Sequence, residues 1–204
     1  MMNVPPEISL EMDLAKMLAK LEIISELSDK DFTILRMIRT GLASLSVDED
    51  IAKGELASSI TIGMYLKPHI VHVVGYSEAY NVATPEVIIE SSKIAKGVIK
   101  NCLKGLPGIE DNKRIIKRKE EILKDTKLIL ENIASFTESD DPLTSSSALF
   151  KAVQSGLMDA ENLKGFNPAK GEIKTAVIDG MVQCVDRDTG EVISEEERIK
   201  QLDI

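Results

Sequence analysis

The chain has 204 residues, 43% apolar and 29% charged, with 25 basic against 34 acidic side chains and a formal charge of −9. A chain of this length builds a core without disulfide or metal staples. Its acidic balance argues against a surface made for nucleic acid or anionic lipid, either of which needs a concentrated Lys/Arg field.

After Pro5-Pro6, Ser9 caps a predicted helix carrying Leu10, Leu14, Met17, Leu18, Leu21 and Ile24 at three- and four-residue spacing. Ser28 and Asp31 form a weak capping box that opens a second predicted helix through Ile34, Leu35, Ile38, Leu42 and Leu45. In Ser46-Val47-Asp48-Glu49 the Glu49 side chain is placed to reach back to the Ser46 amide, which starts a third helix; Lys67-Pro68 stops it after Leu66. Ile70-Val71-His72-Val73-Val74 is short, β-branched and bounded by Pro68 and Gly75, the pattern of a buried strand. It is the one convincing strand before residue 165, and the neighbours that a parallel strand requires are not found.

Thr84-Pro85-Glu86 starts a helix to Lys104, with Thr as cap, Pro at the first helical position and Glu at the positive helix end. From Ile109 to Phe136 the pairs Ile115-Ile116, Ile122-Leu123 and Ile129-Leu130 recur at sevenfold spacing opposite a charged face, which suits a core-packed helix or a subunit-docking one. Asp141-Pro142 begins a short helix through Leu143, Leu149 and Val153 that Gly156 ends. Beyond Gly165, Asp179-Gly180 turns one apolar-alternating run into another, and Arg187-Asp188-Thr189-Gly190 turns that into Glu191-Val192-Ile193. The expected fold class is mainly α with a small β component and a carboxyl-terminal antiparallel hairpin. The patterns divide into a helical region 1–67, a strand-loop-helix and long-helix region 68–165, and a hairpin tail 166–204.

Cys102 and Cys184 are far apart in sequence and lack the close pairing of zinc or redox motifs, so two reduced thiols are expected. The stretch Met1 to Glu7 lacks the basic start and apolar run of a signal peptide, and no window has the length of a membrane span; a cytoplasmic, non-membrane protein is expected. His69 and His72 are the two histidines, and three residues apart in a strand they face opposite ways, so they do not chelate one metal. His72, Tyr76, Ser77 and Glu78 lie where the strand gives way to a loop, the end at which ligands of α/β folds gather. A ligand-facing set there has Glu78 as acceptor, Tyr76 and Ser77 as donors and His72 as proton-transfer or orienting group. The competing reading is a core or edge histidine and a solvated loop carboxylate. Gly75 stands without a phosphate-binding glycine pattern, and Ser77 without a Gly-x-Ser-x-Gly elbow.

The strand His69-Ile70-Val71-His72-Val73-Val74-Gly75-Tyr76-Ser77-Glu78-Ala79, the Thr-Pro-Glu helix start and the long charged helix resemble the last strand and helices of cobalamin-dependent barrel enzymes. The tail from Ala152-Val153-Gln154-Ser155-Gly156-Leu157-Met158 through Gly165-Phe166-Asn167-Pro168-Ala169-Lys170-Gly171 to Ile178-Asp179-Gly180 is similar in arrangement to the carboxyl end of the large glutamate mutase subunit and its relatives. The resemblance implies a TIM-type barrel end and a subunit or separated portion of a corrinoid-linked mutase or methyltransferase. No Asp-x-His-x-x-Gly cobalamin-carrying segment is present, so the cobalamin it implies is carried by a partner chain, with none bound by this chain alone. A protein partner or homo-oligomer and a small-molecule substrate are expected with it. The alternative is a non-catalytic helical interaction or assembly subunit.

Overall fold

The computed structural model describes residues 8–202 and 204; the stretch Met1 to Glu7, read above for a signal peptide, lies outside them. The fold is mainly α, about 49% helix and 8% strand, with a small antiparallel hairpin near the carboxyl end. No helix among the described residues is long and apolar enough to cross a membrane. The chain forms two compact units, the first ending at Lys119 and the second running from Glu120 to Ile204.

The first unit opens with α1, Leu10–Glu26, capped as expected by the Ser9 side chain on the Met12 amide. The helix expected after Ser28, through Ile34 to Leu45, does not form. Its central part is instead a strand, β1, Met37–Arg39, followed by a single 3-10 turn at Leu42–Ser44. The apolar positions Ile34, Ile38, Leu42 and Leu45 fit a helical spacing, but Thr33, Ile34, Ile38 and Thr40 are β-branched and Gly41 would sit inside the helix. Tertiary pairing decides: β1 lies parallel to β2, Ile70–His72, with Met37 opposite Ile70, Ile38 opposite Val71 and Arg39 opposite His72. The expected strand to Val74 thus pairs only as far as His72, and the neighbour that sequence reading missed is β1.

Between these strands runs α2, Glu49–Met64. Its cap is Asp48, whose carboxylate accepts the Asp50 and Ile51 amides; Ser46 instead accepts the Asp48 amide. The Ser46 amide donates to Glu55, well beyond the expected Glu49. β1, α2 and β2 make a complete βαβ unit, and α3, Pro85–Cys102, follows with Thr84 as cap and Pro at the start, as the sequence predicts. The two helices enclose Ala52, Leu56 and Ile60 from α2, Ala95 from α3, and Leu45, Val74 and Tyr76 from the connections. A second cluster packs Leu14, Ala15 and Met17 of α1 against Ile38 of β1, Leu66 and Ile115. Ile115 belongs to α4, Lys113–Ala134, within which the boundary between the units falls.

In the second unit, the end of α4, the helix α5 (Ser146–Gln154) and the helix α6 (Glu195–Lys200) enclose Ile133, Ala148, Ala152, Leu157 and Ile199. Asp141-Pro142 opens a 3-10 turn, and α5 itself is capped by Ser145. β3, Thr175–Ile178, and β4, Met181–Cys184, form the expected antiparallel hairpin. Asp179 and Gly180 at its tip both have positive φ (52° and 73°), the turn whose twist matches that of its strands. The run through Val192 is reduced to one bridge, Val185 to Val192. Ser194 and Glu197 close a full capping box at α6.

Candidate functional site

β2 ends at His72, and the chain then turns through Gly75 to Asn81 before α3 begins. The turn is held from within. The Gly75 N–H donates to the Glu78 carboxylate, the Glu78 N–H returns to the Gly75 carbonyl at 3.0 Å, and the Asn81 N–H reaches the Ser77 carbonyl at 2.9 Å. Glu78 is therefore the brace of its own loop.

Tyr76 points into the core, 5% exposed. Its N–H donates to the Ser91 hydroxyl at 3.1 Å and its own hydroxyl to Glu90 at 3.0 Å. Lys53 of α2 pairs with Glu90 at 3.0 Å and lies 4.6 Å from the centre of the Tyr76 ring, a cation–π contact. Burial, and then the hydrogen bond to Glu90, push the Tyr76 phenol up, while Lys53 and Tyr76 together hold the Glu90 carboxyl below the usual carboxylate range. Tyr76 stays a protonated donor fastening the loop after β2 to α2 and α3. Its partners lie 14 and 15 residues away on α3, beyond the reach of local pattern reading.

The four expected site residues are therefore divided. Tyr76 is inside, Glu78 closes its loop, Ser77 is half-buried, and His72 is exposed on the sheet, its side chain without a hydrogen-bond partner among the described residues. His69 is engaged, its Nδ1 accepting the Arg36 N–H at 3.0 Å. Among the described residues no group of three or more His, Cys, Asp or Glu is placed to hold a metal.

A different set gathers around His72. Side chains two apart in a strand share a face, so Met37 and Arg39 of β1 stand beside Ile70 and His72 of β2. On the opposite face Ile38 is buried, and Val71 packs on both core clusters of the first unit. The face with Met37 and Ile70 is open: these side chains are 51% and 46% exposed. The Nε of Arg39 is buried yet meets no acceptor among the described residues, and the buried Thr40 hydroxyl is likewise unpaired. Sequence reading missed Met37, Arg39 and Thr40 because it placed them on a helix. The alternation Met37, Ile38, Arg39, Thr40 is the signal that would have found them.

The second unit holds a cleft of about 230 Å3 that Asp159, Cys184 and Arg198 help to line. Its charged groups tie the backbone together. Asp159 accepts the N–H groups of Gly171 at 2.8 Å, Glu172 at 2.6 Å and Ile173 at 3.2 Å. Burial pushes its carboxyl up, but these amides and that of Ala160 outweigh burial and hold it below the usual range. Arg198, 7% exposed, donates to Glu195 from Nε at 2.8 Å and to the Gly156 and Leu157 carbonyls at 2.9 and 2.8 Å, which fastens α6 to the end of α5. Burial pushes the Cys184 thiol up against the opposing charge of Arg198, which disfavours the nucleophilic thiolate. No family model matches the chain, and no curated protein matches it.

Proposed function

We propose that this chain is a subunit, or a separated carboxyl-terminal portion, of a corrinoid-linked mutase or methyltransferase, supplying part of a parallel α/β barrel whose other strands come from a partner chain. One observation carries the reading: a βαβα segment whose two parallel strands are packed against the hydrophobic clusters on one face and open on the other. Parallel sheets are stable when both faces are covered, so a two-stranded parallel pair with Met37 and Ile70 in the open has the form of a piece of a larger sheet. In a barrel of this type helices cover the outside and side chains from all strands fill the inside. The open face then corresponds to the inside, with Arg39 and His72 at the carboxyl ends of their strands, where barrel chemistry is placed. The sequence resemblance points the same way.

In this reading the corrinoid is carried by the partner: this chain has no Asp-x-His-x-x-Gly segment, and the His69 Nδ1 already accepts the Arg36 amide. The chain's own part is to complete the sheet and to present His72 and Arg39 on it.

A second reading is an assembly subunit with no chemistry of its own. It is favoured by the internal engagement of Tyr76 and Glu78, the donor and acceptor that a substrate site would need free. Isolation of the tagged full chain from its source, followed by native mass measurement and a visible spectrum, separates the two. The first reading expects a complex with a different chain that carries corrinoid absorbance, and no stoichiometric spectral change when the purified chain alone is titrated with hydroxocobalamin at micromolar concentration. A corrinoid-free complex selects the second reading, and a strict monomer in both settings overturns both.

A further inference from the structure

The cleft of about 230 Å3 in the second unit carries a charge imbalance that does not depend on the barrel reading of the first unit. The carboxylates of Asp159, Glu172 and Asp186 line it, and each is already engaged. Asp159 accepts the Gly171, Glu172 and Ile173 N–H groups, and Glu172 pairs with Arg187 at 3.1 Å. Asp186 accepts the Asp188 and Thr189 N–H groups, each at 2.9 Å, and the Thr189 hydroxyl. Of the cations in the wall, Arg187 is matched by Glu172 and Arg198 by Glu195. Lys170 and Lys174 meet no carboxylate among the described residues; the Lys174 Nζ reaches only the Arg187 carbonyl, at 3.5 Å.

Both lysines leave the chain from fixed points. They flank the segment 171–173, whose three N–H groups are fastened to Asp159. The Lys170 stem lies over Gly156, where an added Cβ would stand 3.2 Å from the Lys170 Cδ, so its chain is seated before any ligand arrives. Buried Arg198 stands in the same wall. A guanidinium has five N–H donors; Glu195 takes two and the Gly156 and Leu157 carbonyls one each, which leaves one on Nη1 uncommitted among the described residues.

We propose that this cleft binds a compact small-molecule dianion, a phosphate monoester or a short dicarboxylate, with the Lys170 and Lys174 ammonium groups on its charges and its apolar part against Val185 and Leu202. The volume sets the size, since clefts for drug-sized ligands run to about 300–1,000 Å3. Two unmatched ammonium groups call for two negative charges, and a monoanion leaves one of them unmet. The formal charge of −9 repels an anion at a distance, so affinity comes from direct charge-assisted hydrogen bonds inside the cleft.

Lys170→Met and Lys174→Met test this, because each keeps an apolar stem and removes the charge. The purified full chain is titrated calorimetrically with inorganic phosphate, succinate and acetate at fixed ionic strength and about pH 8, where the first two are dianions. Alkylation of Cys184, which lines the cleft, is followed beside that of Cys102 in the first unit as an internal control. The expected result is saturable binding of phosphate or succinate at one site per chain, about tenfold or more tighter than acetate, with alkylation slowed at Cys184 and unchanged at Cys102. The tighter of the two dianions identifies the head group. Each lysine variant is expected to weaken that binding about tenfold, whereas Lys151→Met, on α5 outside the cleft, leaves it unchanged. Absence of saturable binding by either dianion, acetate bound as tightly, or full affinity in both lysine variants overturns the inference. Should a variant melt lower without ligand, the wild-type chain decides: no protection of Cys184 by either dianion overturns it as well.

Discussion

Thr40 shows how much an unmet polar group can reveal about a single position. It is 4% exposed, and its hydroxyl meets no partner among the described residues. Burying a hydroxyl without a hydrogen bond is unfavourable, whereas Val has nearly the same shape and no polar atom to satisfy. Thr40→Val is therefore expected to stabilise the chain by about 1 kcal/mol, read as a higher urea midpoint with an unchanged slope. A lower midpoint would mean that the hydroxyl has a partner in solution. At this scale the sequence located the loop after His72 but not the roles within it. Glu78 could be recognised as a carboxylate beside a strand end; that it would turn back onto the Gly75 amide depends on the loop's own curvature. Tyr76 meets Ser91 and Glu90 only because α3 folds back along the core, a long-range fact that no local spacing encodes.

At the scale of elements, Gly63 determines how closely α2 approaches β1. A Cβ built at Gly63 would lie 2.5 Å from the Ile38 Cδ1, so the helix and the strand touch where the glycine has no side chain. In a free helix Gly→Ala gains about 1 kcal/mol. Here the added methyl must displace a buried Ile, and overpacking of this kind costs about 1–3 kcal/mol. Gly63→Ala is expected to be net destabilising by about 1 kcal/mol in urea denaturation, with the loss restored by Ile38→Val in the double variant. A stabilising Gly63→Ala would show that the contact relaxes freely. The same contact explains what was legible among the elements. Helices marked by a cap and a stripe, such as α1 and α3, could be read locally. β1 could not, because Ile34, Ile38, Leu42 and Leu45 satisfy a helical spacing as well, and the strand exists through its pairing with residues 70–72 and the close approach of Gly63.

For the whole molecule, several carboxylates in both units are held below the usual range: Glu86 and Glu90 in the first, and Asp159, Asp186, Glu196 and Glu197 in the second. A carboxyl lowered by folding contributes stability that is present above its unfolded value and lost as pH falls through its folded value. The formal charge of −9 acts the other way, since protonation relieves repulsion, but salt screens separated surface charges far more than direct hydrogen bonds. The melting temperature at moderate salt is therefore expected to fall as pH drops from about 5 to about 3. Asp159→Asn should lower it at neutral pH and narrow the difference from wild type under acid, whereas a melting temperature that climbs steadily on acidification would refute the account. The placement of the boundary between the two units inside α4 has a consequence for inheritance. A gene broken at that boundary would leave the upstream product with about two turns of α4, too short to nucleate and yet the bearer of the buried Ile115. A break at 103–112 would instead take Ile115 from the first unit's cluster, and one at 135–141 would take Ile133 from the second's, so related genes are expected to keep the two halves joined through α4.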